Sequence, residues 1–219
     1  MKRIGCIVAF LFVMNIVRSQ TIDFQPELTY GAHAGVTLSR IGFLPRISQT
    51  LLLQETGGLM ARYISEKHFG ILVELNFSLR GWKEKQDTVS QFNRYTRSLS
   101  YIELPVMTHF YSNLGKRVRI VVNAGPQISF NIGEKVLEKE ILIYPAPTYC
   151  DNYPVQRKFD YGIGGGLGLE IRTGIGNFIL EGRYYFGLSD VFNNTRADYF
   201  QSSHNQIISI RLGYLMEKK

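Results

Sequence analysis

From Tyr30 to Met216 the chain alternates apolar and polar side chains with a period of two, and helical periodicity is hard to find. The clearest stretch runs from Phe159 to Arg172. Phe159, Tyr161, Ile163, Leu167, Leu169 and Ile171 share one face with Gly165, while Asp160, Gly162, Gly164, Gly166, Gly168, Glu170 and Arg172 share the other. Side chains of a strand alternate faces, so the pattern predicts a strand with one apolar face and one tiny or charged face. The same design recurs in Phe69–Arg80, Ser100–Tyr111, Arg117–Ile132, Asn177–Leu188 and Gln206–Met216, and more weakly near Tyr30–Ser39 and Thr56–Ile64. The pattern predicts eight strands.

Soluble sandwiches also alternate, so length and connection decide between the two. Most of these strands reach the ~9–11 tilted residues that cross a bilayer, whereas soluble strands average about five or six. The connections alternate in length. Arg40–Glu55, Gly81–Arg97, Gly133–Arg157 and Asp190–His204 are long, and Ser65–His68, Ser112–Lys116 and Thr173–Gly176 are short. Short periplasmic turns and long extracellular loops mark outer-membrane barrels. The predicted fold is all-β: an eight-stranded antiparallel up-and-down transmembrane β-barrel. Lipid offers no hydrogen bonds, so closure is what leaves no strand edge unpaired. Tyr30, Tyr63, Phe69, Tyr101, Tyr111, Phe159, Tyr184, Phe186 and Tyr214, near strand ends, are expected to form interfacial girdles.

The N-terminus adds a route to that membrane. Met1-Lys2-Arg3 is basic, Ile4 to Val17 is almost unbrokenly apolar, and Arg18-Ser19-Gln20 follows. This is the layout of a secretory signal peptide over residues 1–19, cleaved between Ser19 and Gln20, with the barrel domain over 20–219. Its loss removes Lys2, Arg3 and Arg18 and no acid, lowering the formal net charge from +7 by three to +4. That mild charge does not argue for nucleic acid. Cys150 is then the single cysteine, so an intramolecular disulfide is ruled out for the mature chain.

Eight strands leave an interior just wide enough for side chains to fill. The inward positions carry acids and bases together, which predicts a plug of ion pairs, since buried charges are tolerable only when paired. Glu181 and Arg183 sit one strand from Glu170 and Arg172 on one side and one strand from Arg211 on the other, so these five are expected to form one network. Glu103 is a further interior candidate. A small passive channel is the competing reading of the same interior. The glycines at 162, 164, 166 and 168 are read as relief for bulky neighbours.

Catalytic motifs are missing. The glycine run lies inside a strand, with no helix N-terminus to hold phosphate, and there is neither a Gly-x-Ser-x-Gly elbow nor a zinc-spaced cysteine cluster. His204, near Asp190 and Asp198, is the basis of a rim-hydrolase alternative. No cofactor is implied. The third long loop carries an apolar stretch, Ile141, Leu142, Ile143 and Tyr144, then Tyr149 and Cys150, which reads either as a contact surface for a protein partner or as a flap over the mouth.

Gly31-Ala32-His33-Ala34-Gly35-Val36, Tyr101-Ile102-Glu103-Leu104-Pro105-Val106, Asn123-Ala124-Gly125-Pro126-Gln127, the run from Asp160 to Glu170, and Arg183-Tyr184-Tyr185-Phe186-Gly187-Leu188 follow one another in order. In this order and spacing the chain resembles the PorT-like outer-membrane β-barrel family over nearly its whole mature length. The resemblance implies a barrel in the outer membrane, and the family's name comes from a component of a protein-secretion apparatus. Proline donates nothing to a ladder, so Pro105 and Pro126 predict a local bulge. The last aromatic is Tyr214, and recognition by the outer-membrane assembly machinery is expected to use it.

Overall fold

The computed structural model describes residues 25–84, 93–141, 154–195 and 200–216. Among these residues nine strands follow in chain order: β1 (Glu27–Leu44), β2 (Gln49–Thr50), β3 (Leu52–Glu66), β4 (Phe69–Glu84), β5 (Asn93–Asn113), β6 (Val118–Ile141), β7 (Phe159–Thr173), β8 (Gly176–Asp190) and β9 (Ser202–Met216). β2 is a two-residue addition beside the end of β4. The other eight pair antiparallel with their sequence neighbours, and β1 closes the ring on β9, from Tyr30↔Met216 to Leu44↔Ser202. The barrel and its strand count are as the periodicity predicts.

The faces follow the alternation. Leu59, Leu75, Leu104, Ile128, Ile163, Leu167, Leu180 and Leu212 are exposed on the outer wall, while Glu74, Arg80, Glu103, Glu170, Glu181, Arg183 and Arg211 are buried inside. An apolar exterior around a charged interior inverts a soluble protein, and it is stable only in lipid. Two tyrosines expected in the girdles lie inside instead: Tyr101 and Tyr111 are buried. Each shares a face with Glu103 and His109 on β5, and each stacks under an interior arginine described below.

Two further expectations change. No register shift falls at the prolines: Pro105↔Gln127 and Thr108↔Ala124 keep one register, as do Pro126↔Ile163 and its neighbours. The missing N–H leaves a gap in the ladder without inserting a residue. The irregularities of the β5–β6 pair lie nearer the loops, at Thr96/Arg97 and Ser100/Tyr101. The segment expected as a long loop from Gly133 is strand as far as Ile141, which pairs with Asn93. Above the lipid both faces meet water, so Lys135, Glu138 and Lys139 could join a strand without alternating apolar neighbours. Leu142, Ile143, Tyr144, Tyr149 and Cys150 lie outside the described residues.

Candidate functional site

The interior is built in layers between the end with short turns and the end with long loops. In the middle layer Glu74 of β4 meets two arginine forks. Arg183 of β8 reaches it with both terminal nitrogens at 3.0 Å, and Arg211 of β9 does so at 2.8 and 3.1 Å. Arg211 and Arg183 also hold Glu181, the latter at 3.2 Å. Asn76 donates to Glu74 and Asn123 to Glu181, both at 2.9 Å, and His33 lies 2.8 Å from Asn76. Two carboxylates face two guanidiniums, so the layer is neutral. Bidentate geometry of this kind is the strongest form of the pair, and it satisfies groups that would otherwise be costly to bury.

Toward the loops, Arg80 joins Glu103 (2.6 Å) to Asp160 (2.9 Å). Its guanidinium lies 4.6 Å from the Tyr101 ring centroid and 4.9 Å from that of Tyr185. Asp160 also accepts from Tyr185, Asn205 and Ser189, and Glu103 from Gln127. Toward the turns, Glu170 accepts from Arg62 at 2.9 Å and lies 3.8 Å from Arg119, which stacks 4.5 Å from the Tyr111 centroid. Met60, Ile64, Leu72, Met107, Val121, Ile179 and Leu215 pack around these groups. Among the described residues every buried cation of this lumen other than histidine is arginine. Its planar fork suits two carboxylates and two ring faces at once, which lysine's point charge does not.

The five-residue network expected from neighbouring strands therefore divides. Glu181, Arg183 and Arg211 come together, but the two arginines share a second acid, Glu74, from the opposite wall. Glu170 belongs to the turn-end layer with Arg62. Arg172 is half-buried at the rim, outside both sets of pairs. Register explains the split: Gly168, not Glu170, is the partner of Glu181. Glu103 lies in the third layer.

The mouth is closed by a second device. Ile41, Phe43, Trp82, Tyr95, Leu99, Val155, Val191, Phe192 and Phe200 form one buried apolar cluster with Tyr101 at the loop end. Phe43 stacks on Phe200 with centroids 4.4 Å apart and meets Trp82 edge-on at 5.4 Å, and Arg97 lies 5.8 Å from the Trp82 centroid. The sequence pattern gave no sign of this cap, because its rings come from separate segments. Among the described residues, two cavities between the layers measure about 10 and 20 Å³. Each has room for about one water.

At the rim, His204 Nδ1 lies 3.6 Å from Asp190 Oδ1 and 3.5 Å from the Ser189 carbonyl. Asp198 lies outside the described residues. The hydroxyl of Ser189 donates to Asp160, and Ser203 is fully buried, so neither is presented to His204 as a nucleophile.

The profile of the outer membrane protein beta-barrel domain matches residues 19–193. Among solved structures, the chain is similar to the outer membrane protein OprG from Pseudomonas aeruginosa, with 10% identity over 88% of this chain and 96% of that one, at a TM-score of 0.50. Neisserial surface protein A follows at 11% identity, 84% and 96% coverage and a TM-score of 0.45. Ail of Yersinia pestis follows at 11%, 87% and 99%, and 0.42. At such identities these likenesses concern the fold alone. No curated protein matches the chain in sequence. The closed eight-stranded ring, the apolar outer wall and a profile spanning most of the chain converge: the chain belongs to the outer membrane protein beta-barrel domain family, and its place is the outer membrane.

Proposed function

We propose that this protein is a non-enzymatic, non-conducting barrel of PorT-like type that acts structurally or by binding at its extracellular loops, as an accessory of protein secretion. The observation that carries the reading is the filled lumen of the described residues: three arginine–carboxylate layers under an aromatic cap, with cavities of about 10 and 20 Å³ between them. A barrel with no passage has its outer surface left for contact. The PorT-like assignment and the secretion role rest on the resemblance of the ordered motifs. Export is by the signal peptide cleaved after Ser19, and insertion is by the outer-membrane assembly machinery acting on the β9 end at Tyr214.

The test is electrical and chemical. Reconstituted in a planar bilayer, the folded chain stays silent; stepwise currents would overturn the closed reading in favour of a passive channel. Thiol crosslinking from Cys150 in intact cells is expected to trap a protein partner. A chain that crosslinks to nothing, and whose deletion leaves secreted proteins unchanged, would end the accessory role. Turnover of a lipid or peptide substrate that His204→Ala abolishes would instead establish the rim hydrolase.

A further inference from the structure

The end with short turns carries a groove that the plug does not use. It measures about 380 Å³ and is lined by Lys116, Arg117, Ile171, Arg172, Thr173 and Gly174. Two hairpins meet there. Val118 pairs with Ile171, so the β5–β6 turn lies beside the β7–β8 turn, and the Arg172 amide donates to the Arg117 carbonyl at 2.8 Å. Lys116 and Arg117 are exposed and Arg172 is half-buried. Among the described residues the acids of this end are engaged elsewhere: Glu170 with Arg62 and Arg119, Glu27 with Arg62, while Glu66 belongs to a different turn.

The groove borders the lipid-facing wall at Ile171. Ile171 is half exposed, Leu169 continues the same outward file toward the middle of the bilayer, and Ile175 on the β7–β8 turn is three-quarters exposed. Three cations therefore line one groove at the level where acyl chains give way to headgroups: Lys116 and Arg117 from the turn, and Arg172 from the lumen side of the β7 end, where it must reach around the rim. In a barrel of this family the short turns face the periplasm, so this level is that of the inner leaflet. We propose that the groove is a binding site for one anionic phospholipid, with the phosphodiester held by Lys116, Arg117 and Arg172 and an acyl chain laid along Ile171 and Leu169. Two recognition elements then act together. The guanidinium forks match phosphate oxygens, and the apolar file selects a phosphate that carries a chain.

The experiment uses the full chain folded in neutral detergent, with native mass spectrometry of retained lipid after titration with phosphatidylglycerol or phosphatidylcholine. Phosphatidylglycerol is expected to be retained preferentially. Lys116→Gln/Arg117→Gln/Arg172→Gln should weaken it on the order of 100-fold, about five-fold for each cation lost. Arg40→Gln/Arg46→Gln, at the opposite end, should leave it unchanged. If the triple variant does not fold, Lys116→Gln/Arg117→Gln alters only exposed turn residues and is expected to weaken binding roughly 25-fold on the same basis. Equal retention of the two lipids, or equal retention by variant and parent, would overturn the site. Full displacement by millimolar glycerol phosphate would overturn the lipid assignment, because the groove would then read the phosphate alone.

Discussion

Glu74 depends on both walls of the barrel. Its two oxygens are shared between Arg183 and Arg211, whose strands β8 and β9 stand opposite β4 across the lumen. Removing it leaves two guanidiniums with one carboxylate in a space without bulk water. Glu74→Ala is therefore expected to destabilise the barrel by about 3–5 kcal/mol, read from urea unfolding in micelles by loss of heat-modifiable migration. Replacing Arg211 by Met as well should recover part of that loss, because one unpaired charge goes with it; a double variant no more stable than the single would sink the pairing argument. The sequence showed half of this. Glu181 and Arg211 are direct partners in the β8–β9 register, so neighbouring strands suffice to join them. Glu74 is joined across the lumen, and that pairing depends on how far each strand is sheared as the ring closes. Alternation along a strand carries no record of shear.

At the scale of a strand, β7 shows why its inner face is glycine. A methyl group added at Gly166 would stand 2.4 Å from Glu181 Oε1, whereas at Gly165, on the outer face, its nearest neighbour would be the Asn123 carbonyl at 3.9 Å. The two positions are adjacent in sequence and opposite in consequence. Gly166→Ala pushes the Glu181 carboxylate off its arginines and is expected to cost about 1–3 kcal/mol; Gly165→Ala should be neutral or gain up to ~1 kcal/mol. Equilibrium unfolding of both variants checks this, and equal effects would mean that the inner wall yields more than its contacts suggest. The glycine file was legible as room for bulky neighbours, although not which ones. Strand ends were less legible. Within the lipid band every second residue must be apolar, so the pattern is strict; above it that constraint lapses, and β6 continues to Ile141 with Lys135, Glu138 and Lys139 showing no such rhythm. The prolines misled for a related reason. A lost donor need not add a residue, and the ladder passes Pro105 and Pro126 in unbroken register.

For the molecule as a whole, closure is redundant. The aromatic cap and the ion-pair layers each obstruct the lumen at a different height. Phe43→Ala/Trp82→Ala should therefore loosen the loop end, seen as faster cleavage by protease added from outside, while the bilayer current stays at zero. Currents from this variant would show that the cap alone had sealed the barrel. The ring itself was legible from the count and alternating length of the connections. The cap was not, since Phe43, Trp82 and the pair Phe192 and Phe200 come from three segments distant in sequence, and only closure gathers them over one opening.

The β5–β6 ribbon reaches beyond the last lipid-facing residues of its strand. Phe130 and Ile132 are still half exposed on the outer wall, and pairing continues to Asn93↔Ile141. Nine further residues at ~3.3 Å each, inclined as barrel strands are, lift the end of the ribbon roughly 20 Å above the acyl chains. A paired ribbon is stiff where a loop of equal length would lie down. It works as a mast: the paired tip at Asn93 and Ile141 stands clear of the acyl chains, and whatever approaches from outside would meet that tip before it met the barrel wall.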